Sequence, residues 1–211
     1  MKITIIYDNE TAEVGFRADW GFSCLVEAYN KRILFDTGAN GTLLLENMKK
    51  LNIDPTIIDE VFISHAHWDH MGGLSDFLLI NPTKVYIPSS CPEPHGAGEV
   101  IKVKQALKIH ENIFSTGELK NREQSLVVKM EKGLVVIVGC SHPGVENILE
   151  AASQFGKPQA LIGGLHGFRE FDAVRDLEVI CPTHCTQFKS EIKTLYPEKY
   201  IKGGAGKVIE I

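Results

Sequence analysis

The sequence predicts a four-layer α/β fold, with two β-sheets packed face to face and helices on both outer faces. Three observations predict it. The chain has 211 residues, of which 44% are apolar and 23% charged, enough for a large folded unit with a real core. Its patterns run strand, strand, helix, strand, helix, and the second half repeats that order. No Ser-, Gly- or Pro-rich linker parts the halves, so a single domain over 1–211 is expected.

The first strand rests on the β-branched residues Ile3, Ile5 and Ile6, followed by the turn residues Asp8 and Asn9. Strands at 23–29 and 32–35 precede a helix over 41–51, where Leu44, Leu45, Met48 and Leu51 recur at helical spacing. A strand at 60–64, a helix at 74–80 and a strand at 84–88 follow. Residues 91–121 hold Pro, Gly and isolated His, and read as an irregular flap or insertion. Runs at 125–131 and 134–138 form a predicted hairpin turning at Lys132-Gly133. The remainder reads as a helix at 145–155, a strand at 159–162, a helix at 171–178, a strand at 179–181, a helix at 186–195 and a last strand at 208–211.

Composition narrows the function classes. The net charge is −5 and no polybasic run stands out, so neither nucleic acid nor an anionic membrane is an expected partner. No apolar run approaches the ~20 residues of a membrane span, and the N-terminus reads as a strand rather than a signal peptide. A cytoplasmic protein acting on a small molecule is the expectation, with oligomeric state open. The five cysteines are odd in number and scattered, unlike a disulfide framework, and Cys24 reads as a buried thiol in an apolar strand.

The strongest chemical signal is Ser64-His65-Ala66-His67-Trp68-Asp69-His70-Met71-Gly72-Gly73. Three histidines fall within six residues, directly after the apolar run Val61-Phe62-Ile63. A strand end fixes the start of such a loop, and alternate side chains then diverge. His65 and His67 can point to one metal position, Asp69 and His70 to a neighbouring one. Neutral imidazoles with a carboxylate suit Zn²⁺ or another first-row divalent ion. His142 and His184 also end apolar runs just before predicted helices, and Asp36 follows Leu34-Phe35 in an Asp-Thr-Gly turn.

His65-x-His67-x-Asp69-His70 resembles the signature of the metallo-β-lactamase superfamily. Leu34-Phe35-Asp36-Thr37-Gly38, Gly139-Cys140-Ser141-His142-Pro143-Gly144 and Cys181-Pro182-Thr183-His184-Cys185-Thr186 resemble its other landmarks, in order. The resemblance implies an αββα sandwich with two mixed sheets. It implies His65, His67 and His142 as ligands of a first metal, Asp69, His70 and His184 as ligands of a second, and Asp36 as a support behind them. Many members carry an Asp that bridges both metals; here Leu161-Ile162-Gly163-Gly164-Leu165-His166-Gly167 stands in that place, with His166 nearest the bridging position. Gly-Gly-Leu-His, Glu123-Gln124-Ser125-Leu126, Gly-Cys-Ser-His-Pro-Gly and Pro-Thr-His-Cys-Thr are similar to the branch of 7,8-dihydropterin-6-methyl-4-(β-D-ribofuranosyl)aminobenzene-5′-phosphate synthases and their relatives. Gln187 stands where that branch commonly has Gly, and the segment between Pro88 and Asn121 is shorter.

These residues imply metal-assisted chemistry. A divalent ion, Zn²⁺ by preference with Mn²⁺, Fe²⁺ and Mg²⁺ open and one or two ions bound, would lower the pKa of a bound water toward ~7. Asp69 could orient that water or carry a proton, and His166 is the candidate acid/base or substrate contact. Hydrolysis of a small phosphorylated or pterin-like substrate is one outcome. Lewis-acid condensation on a pterin or ribosyl phosphate is a second. Diiron redox chemistry and a non-catalytic metal-binding domain are the alternatives of a different class. Diiron members place Glu where this chain has His67, which favours zinc-like chemistry. Trp20 and Phe22 lie in the loop 9–22, expected to hang over the metals, where they could stack on a planar substrate or pack at an edge. His95, His110, Lys102 and Lys104 read as solvated loop residues that could meet a phosphate.

Overall fold

A computed structural model describes residues 1–211. β1 (Lys2–Tyr7), β2 (Ser23–Ala28) and β3 (Lys31–Phe35) form an antiparallel meander, α1 (Gly41–Lys50) crosses over it, and β4 (Glu60–Phe62) returns parallel to β3. A single turn, α2 (Trp68–Met71), and α3 (Leu74–Ile80) lead to β5 (Lys84–Pro88) and β6 (Glu99–Val103). β7 (Leu107–His110), β8 (Ile113–Ser115), β9 (Leu126–Lys129) and β10 (Leu134–Val138) then build a second meander. The chain closes through α4 (Val145–Ser153), β11 (Pro158–Gly164), β12 (Val179–Thr183), α5 (Lys189–Leu195) and β13 (Val208–Glu210). One sheet runs β13-β1-β2-β3-β4-β5-β6 and the other β12-β11-β10-β9-β8-β7, and both mix parallel and antiparallel pairs. No helix is long and apolar enough to cross a membrane.

Strand alternation decides the layers. Ile3, Val26, Phe35 and Phe62 of the first sheet meet Leu126, Val135, Ile137 and Ile162 of the second in one buried cluster between the sheets. The opposite face of the first sheet, with Leu34, Val61 and Val85, packs under Leu44 and Met48 of α1 and Phe77 of α3. Val136 and Leu161 of the second sheet pack under Ile148 of α4 and Ile192 of α5. The four layers are therefore helices, sheet, sheet, helices. α1 starts where the Asn40 side chain accepts the Leu43 N–H at 3.0 Å, and Lys49 and Lys50 sit at its negative end.

Four expectations need correction. Residues 91–121 are not a flap, because β6, β7 and β8 lie there and complete both sheets. The helix expected at 171–178 is one 3₁₀ turn, Phe171–Val174, since Ala173, Arg175 and Leu177 each donate three residues back and Glu178 then joins Gln159. α5 begins at Lys189 rather than 186, because the Thr186 hydroxyl is engaged in joining two loops, accepting from Leu165 N–H and donating to Thr183 O. Ahead of α3, a helical turn already starts at Trp68, so Asp69 and His70 sit on a fixed turn rather than a loose loop.

Candidate metal centre

The carboxyl ends of β3, β4, β10 and β12 deliver Asp36, residues 64–70, residues 140–142 and His184 to one place. Asp36, Ser141, His166 and His184 hold φ of 52°, 58°, 47° and 46°. Side-chain-bearing residues rarely adopt that left-handed region, and such conformations concentrate at functional turns.

The donor atoms fall into two groups, each with its atoms within 4.8 Å of one another: His65, Cys140 and His142 in one, Asp69, His70, Cys140 and His184 in the other. His67 joins the first, its Nδ1 lying 3.1 Å from His65 Nε2 and its ring 4.9 Å from that of His142. In the second, His70 Nε2 lies 3.1 Å from Cys140 Sγ, and His184 Nε2 lies 3.2 Å from Asp69 Oδ2 without hydrogen-bond geometry. Separations near 3 Å suit one ion with bonds of ~2.0–2.3 Å.

Hydrogen bonds behind the rings decide which nitrogens face inward. Asp36 is fully buried, and its Oδ1 accepts the Ser64 N–H at 2.7 Å. Its Oδ2 accepts the Ser64 hydroxyl and pairs with His70 Nδ1, both at 2.7 Å. Because the Ser64 hydroxyl gives its one proton to Asp36, its oxygen receives the Nδ1–H of His65 at 2.9 Å. Asn9 Oδ1 lies 2.9 Å from His184 Nδ1, which donates to it. His65 and His184 thus turn a bare Nε2 toward the centre and His70 presents its Nε2 there too, each ring held by its partner. The Nε2 atoms of His142 and His184 are buried with no hydrogen-bond partner. An orphaned buried acceptor costs about 1–3 kcal/mol, and a metal ion is the partner that this donor set fits.

Burial first, and then the positive charge of Arg122, pushes His142 down to about 4; burial pushes His184 down to about 4 as well, against the opposing pull of Asp69. His65 is likewise depressed, by burial and then by His70 and His142. At neutral pH these three are uncharged, as ligands must be. Burial works against ionisation of Asp69, but His184 and His70 outweigh it and hold the carboxyl below its usual range. Burial likewise opposes a charged His70, and Asp36 outweighs it and raises the imidazole. In metal-free protein we therefore expect His142 and His184 to titrate near pH 4 by NMR, not near 6.5. The unfolded chain binds these protons first, so their contribution to stability is lost as pH falls from about 6.5 to about 4. Asp8, pushed up to about 6 by burial, acts in the opposite sense over part of that range. Ring titration near 6.5 would refute the depression of these two imidazoles by burial.

His166 is not among the grouped donors. It is exposed, with its ring 5.2 Å from that of His142, on a cavity of about 260 Å³ shared with Ser141 and Phe168. Trp20 is half exposed and sits at the centre: its Nε1 donates to Asp69 Oδ2 at 3.0 Å and its ring meets His184 edge-on at 5.4 Å. Phe22 corrects an expectation, since it is wholly buried between the sheets against Phe35 and cannot touch a substrate. His110 pairs with Glu60 and Lys102 with Glu93, rather than with a ligand site.

Two residues escaped the sequence reading. Cys140 belongs to both donor groups, and Gly-Cys-Ser-His at a strand end was its signal. Glu123 is buried; its Oε1 accepts the N–H groups of Cys140 and Ser141 at 3.0 Å each, and its Oε2 accepts that of His142 at 2.9 Å. Arg122 beside it brings its guanidinium to 3.4 Å from His67 Nε2.

With this geometry the comparisons with known proteins agree. The metallo-beta-lactamase superfamily pattern matches residues 21–154, and the chain belongs to that superfamily. It is 27% identical to the 7,8-dihydropterin-6-methyl-4-(beta-D-ribofuranosyl)-aminobenzene-5'-phosphate synthase of Methanocaldococcus jannaschii, over 92% of this chain and 91% of that protein. That alignment spans 267 positions against 211 residues here, so the synthase carries insertions that this chain lacks. An uncharacterized protein of the same organism is 29% identical over 99% of this chain and 100% of its own length. A solved metal-dependent hydrolase of the beta-lactamase superfamily matches with a TM-score of 0.81 and 27% identity, covering 100% of this chain and 99% of that one. The chain is an enzyme of this superfamily, related to a synthase of the pterin kind and to a hydrolase.

Proposed function

We propose that this chain is a metal-dependent hydrolase-type enzyme acting on a small, phosphorylated or pterin-like molecule. The observation that carries this reading is the pair of donor groups meeting at Cys140, each with a buried imidazole nitrogen lacking any partner. His65, His67 and His142 would hold a first divalent ion, and Asp69, His70 and His184 a second. Imidazole-rich donors favour zinc. Ions bound there supply Lewis-acid activation of water or of a substrate oxygen.

The chain's own groups do the rest. Asp36, Ser64 and Asn9 hold the ligand imidazoles in the tautomers that face inward. Asp69 stays a carboxylate, so an oxygen of it can accept a hydrogen bond from the reacting water and orient it, while Trp20 fixes its Oδ2. His166, exposed beside His142, would protonate a leaving oxygen; its 5.2 Å ring separation from His142 supports that role. Trp20, half exposed, and Trp68, more so, offer faces to a planar ring, and the Arg122 guanidinium suits a phosphate. The second reading is synthase-like condensation on a pterin or ribosyl phosphate. The 27% identity to a synthase over most of both chains supports it.

The test is a panel of phosphodiester, thioester, lactone, β-lactam and pterin–ribosyl phosphate substrates. We expect phosphoester turnover that disappears on chelation, and that His166→Ala lowers while metal content is kept. Condensation without hydrolysis would select the second reading. Turnover indifferent to chelators would refute both.

A further inference from the structure

We infer that Cys140 is the ligand shared by the two metal positions, a thiolate in place of a bridging carboxylate. It would select thiophilic divalent ions (Zn²⁺, Co²⁺, Fe²⁺) over Mg²⁺ and Mn²⁺. This inference rests on the site's being a metal centre, as proposed above. Its first support is position: the Cys140 sulphur belongs to both donor groups, and no other residue does. The sulphur lies 3.1 Å from the inward Nε2 of His70. Both groups also contain an imidazole nitrogen with no partner, on His142 and on the buried His184. Cys24 and Cys181, by contrast, lie in the apolar cluster between the sheets.

The second support is how the backbone is held. Glu123 takes the N–H groups of residues 140, 141 and 142 on its two oxygens, so Cys140 and His142 are fixed as one unit. Gly139 lets that unit approach: a Cβ there would lie 2.1 Å from the Ser64 hydroxyl oxygen. The third support is exclusion of the alternative source. Where many superfamily members carry the bridging carboxylate this chain has Leu161–Gly167, and β11 ends there on Gly163-Gly164. A Cβ on Gly164 would lie 2.4 Å from Gly139 O and 2.7 Å from Cys185 Sγ. Neither glycine carries a side chain, and His166, exposed with its ring 5.2 Å from that of His142, belongs to neither donor group.

When an ion binds, the Cys140 S–H bond breaks, its proton passes to solvent, and a metal–sulphur bond forms. The test is reconstitution of the full chain with Co²⁺, followed by near-ultraviolet absorption and elemental analysis. The intact protein is expected to show an intense sulphur-to-cobalt charge-transfer band. Cys140→Ser should abolish the band and weaken both ions, by more than the roughly 10–100-fold that loss of a supporting partner brings. Cys185→Ser, which removes the neighbouring thiol, should keep the band. Cys140→Asp restores a carboxylate, and should hold two ions without the band. A two-cobalt wild-type protein lacking the band, or a band that survives Cys140→Ser, overturns the inference and leaves the metal centre standing. A wild-type protein that binds no cobalt overturns the metal centre itself.

Discussion

Glu123→Ala is expected to cost the metal-free protein several kcal/mol in urea unfolding, the largest stability loss of any single change around the site. The Glu123 side chain is buried and touches no ligand atom, yet it accepts three consecutive backbone N–H groups, from Cys140, Ser141 and His142. Burial raises its pKa, and those same three donors pull it back toward ionisation. Deleting the carboxylate strands three buried donors at about 1–3 kcal/mol each, on the order of 3–6 kcal/mol after partial relaxation. That compares with the 5–15 kcal/mol typical of a whole domain. Ser141 aggravates the loss, because its φ of 58° persists only while its surroundings enforce it. Glu123→Gln, with one acceptor oxygen instead of two, should fall between. A loss below ~1 kcal/mol for the alanine variant would show that the 140–142 turn holds itself.

What was legible in the sequence was contiguous. Residues 65–70 lie within one loop and one helical turn, so density and ligand type exposed them before any tertiary contact was known. His142 and His184 were legible through strand-end placement. Cys140 was not, because its significance lies in an approach to His70 across 70 residues. Glu123 was passed over for the same reason, as its three partners lie 17 to 19 residues on. Phe22 shows the opposite failure: an aromatic in a polar loop suggested a substrate contact, but the loop's last residue turns into the inter-sheet core. The strands in 91–121 were hidden because they are short: β6 and β7 are half-exposed edge strands with weak alternation, and β8, inside its sheet, has three residues after the tight turn at Asn112.

The second large effect is expected at His65. Its Nδ1 begins a chain that runs through the Ser64 hydroxyl and Asp36 to His70, so one ring supports both donor groups. His65→Ala removes a ligand of the first position and leaves the Ser64 oxygen without its donor, loosening Asp36 beneath the second. The loss in metal affinity should exceed the ~10–100-fold that follows from removing a supporting partner alone. Turnover should fall with it, while the fold survives, because His65 lies outside the three apolar clusters.

Elemental analysis of protein purified without added metal, wild type beside His65→Ala, tests this account most directly. The account predicts one to two equivalents of a divalent transition metal in the wild type, and loss of the first ion from the variant. A variant that retains the full wild-type metal content would contradict it.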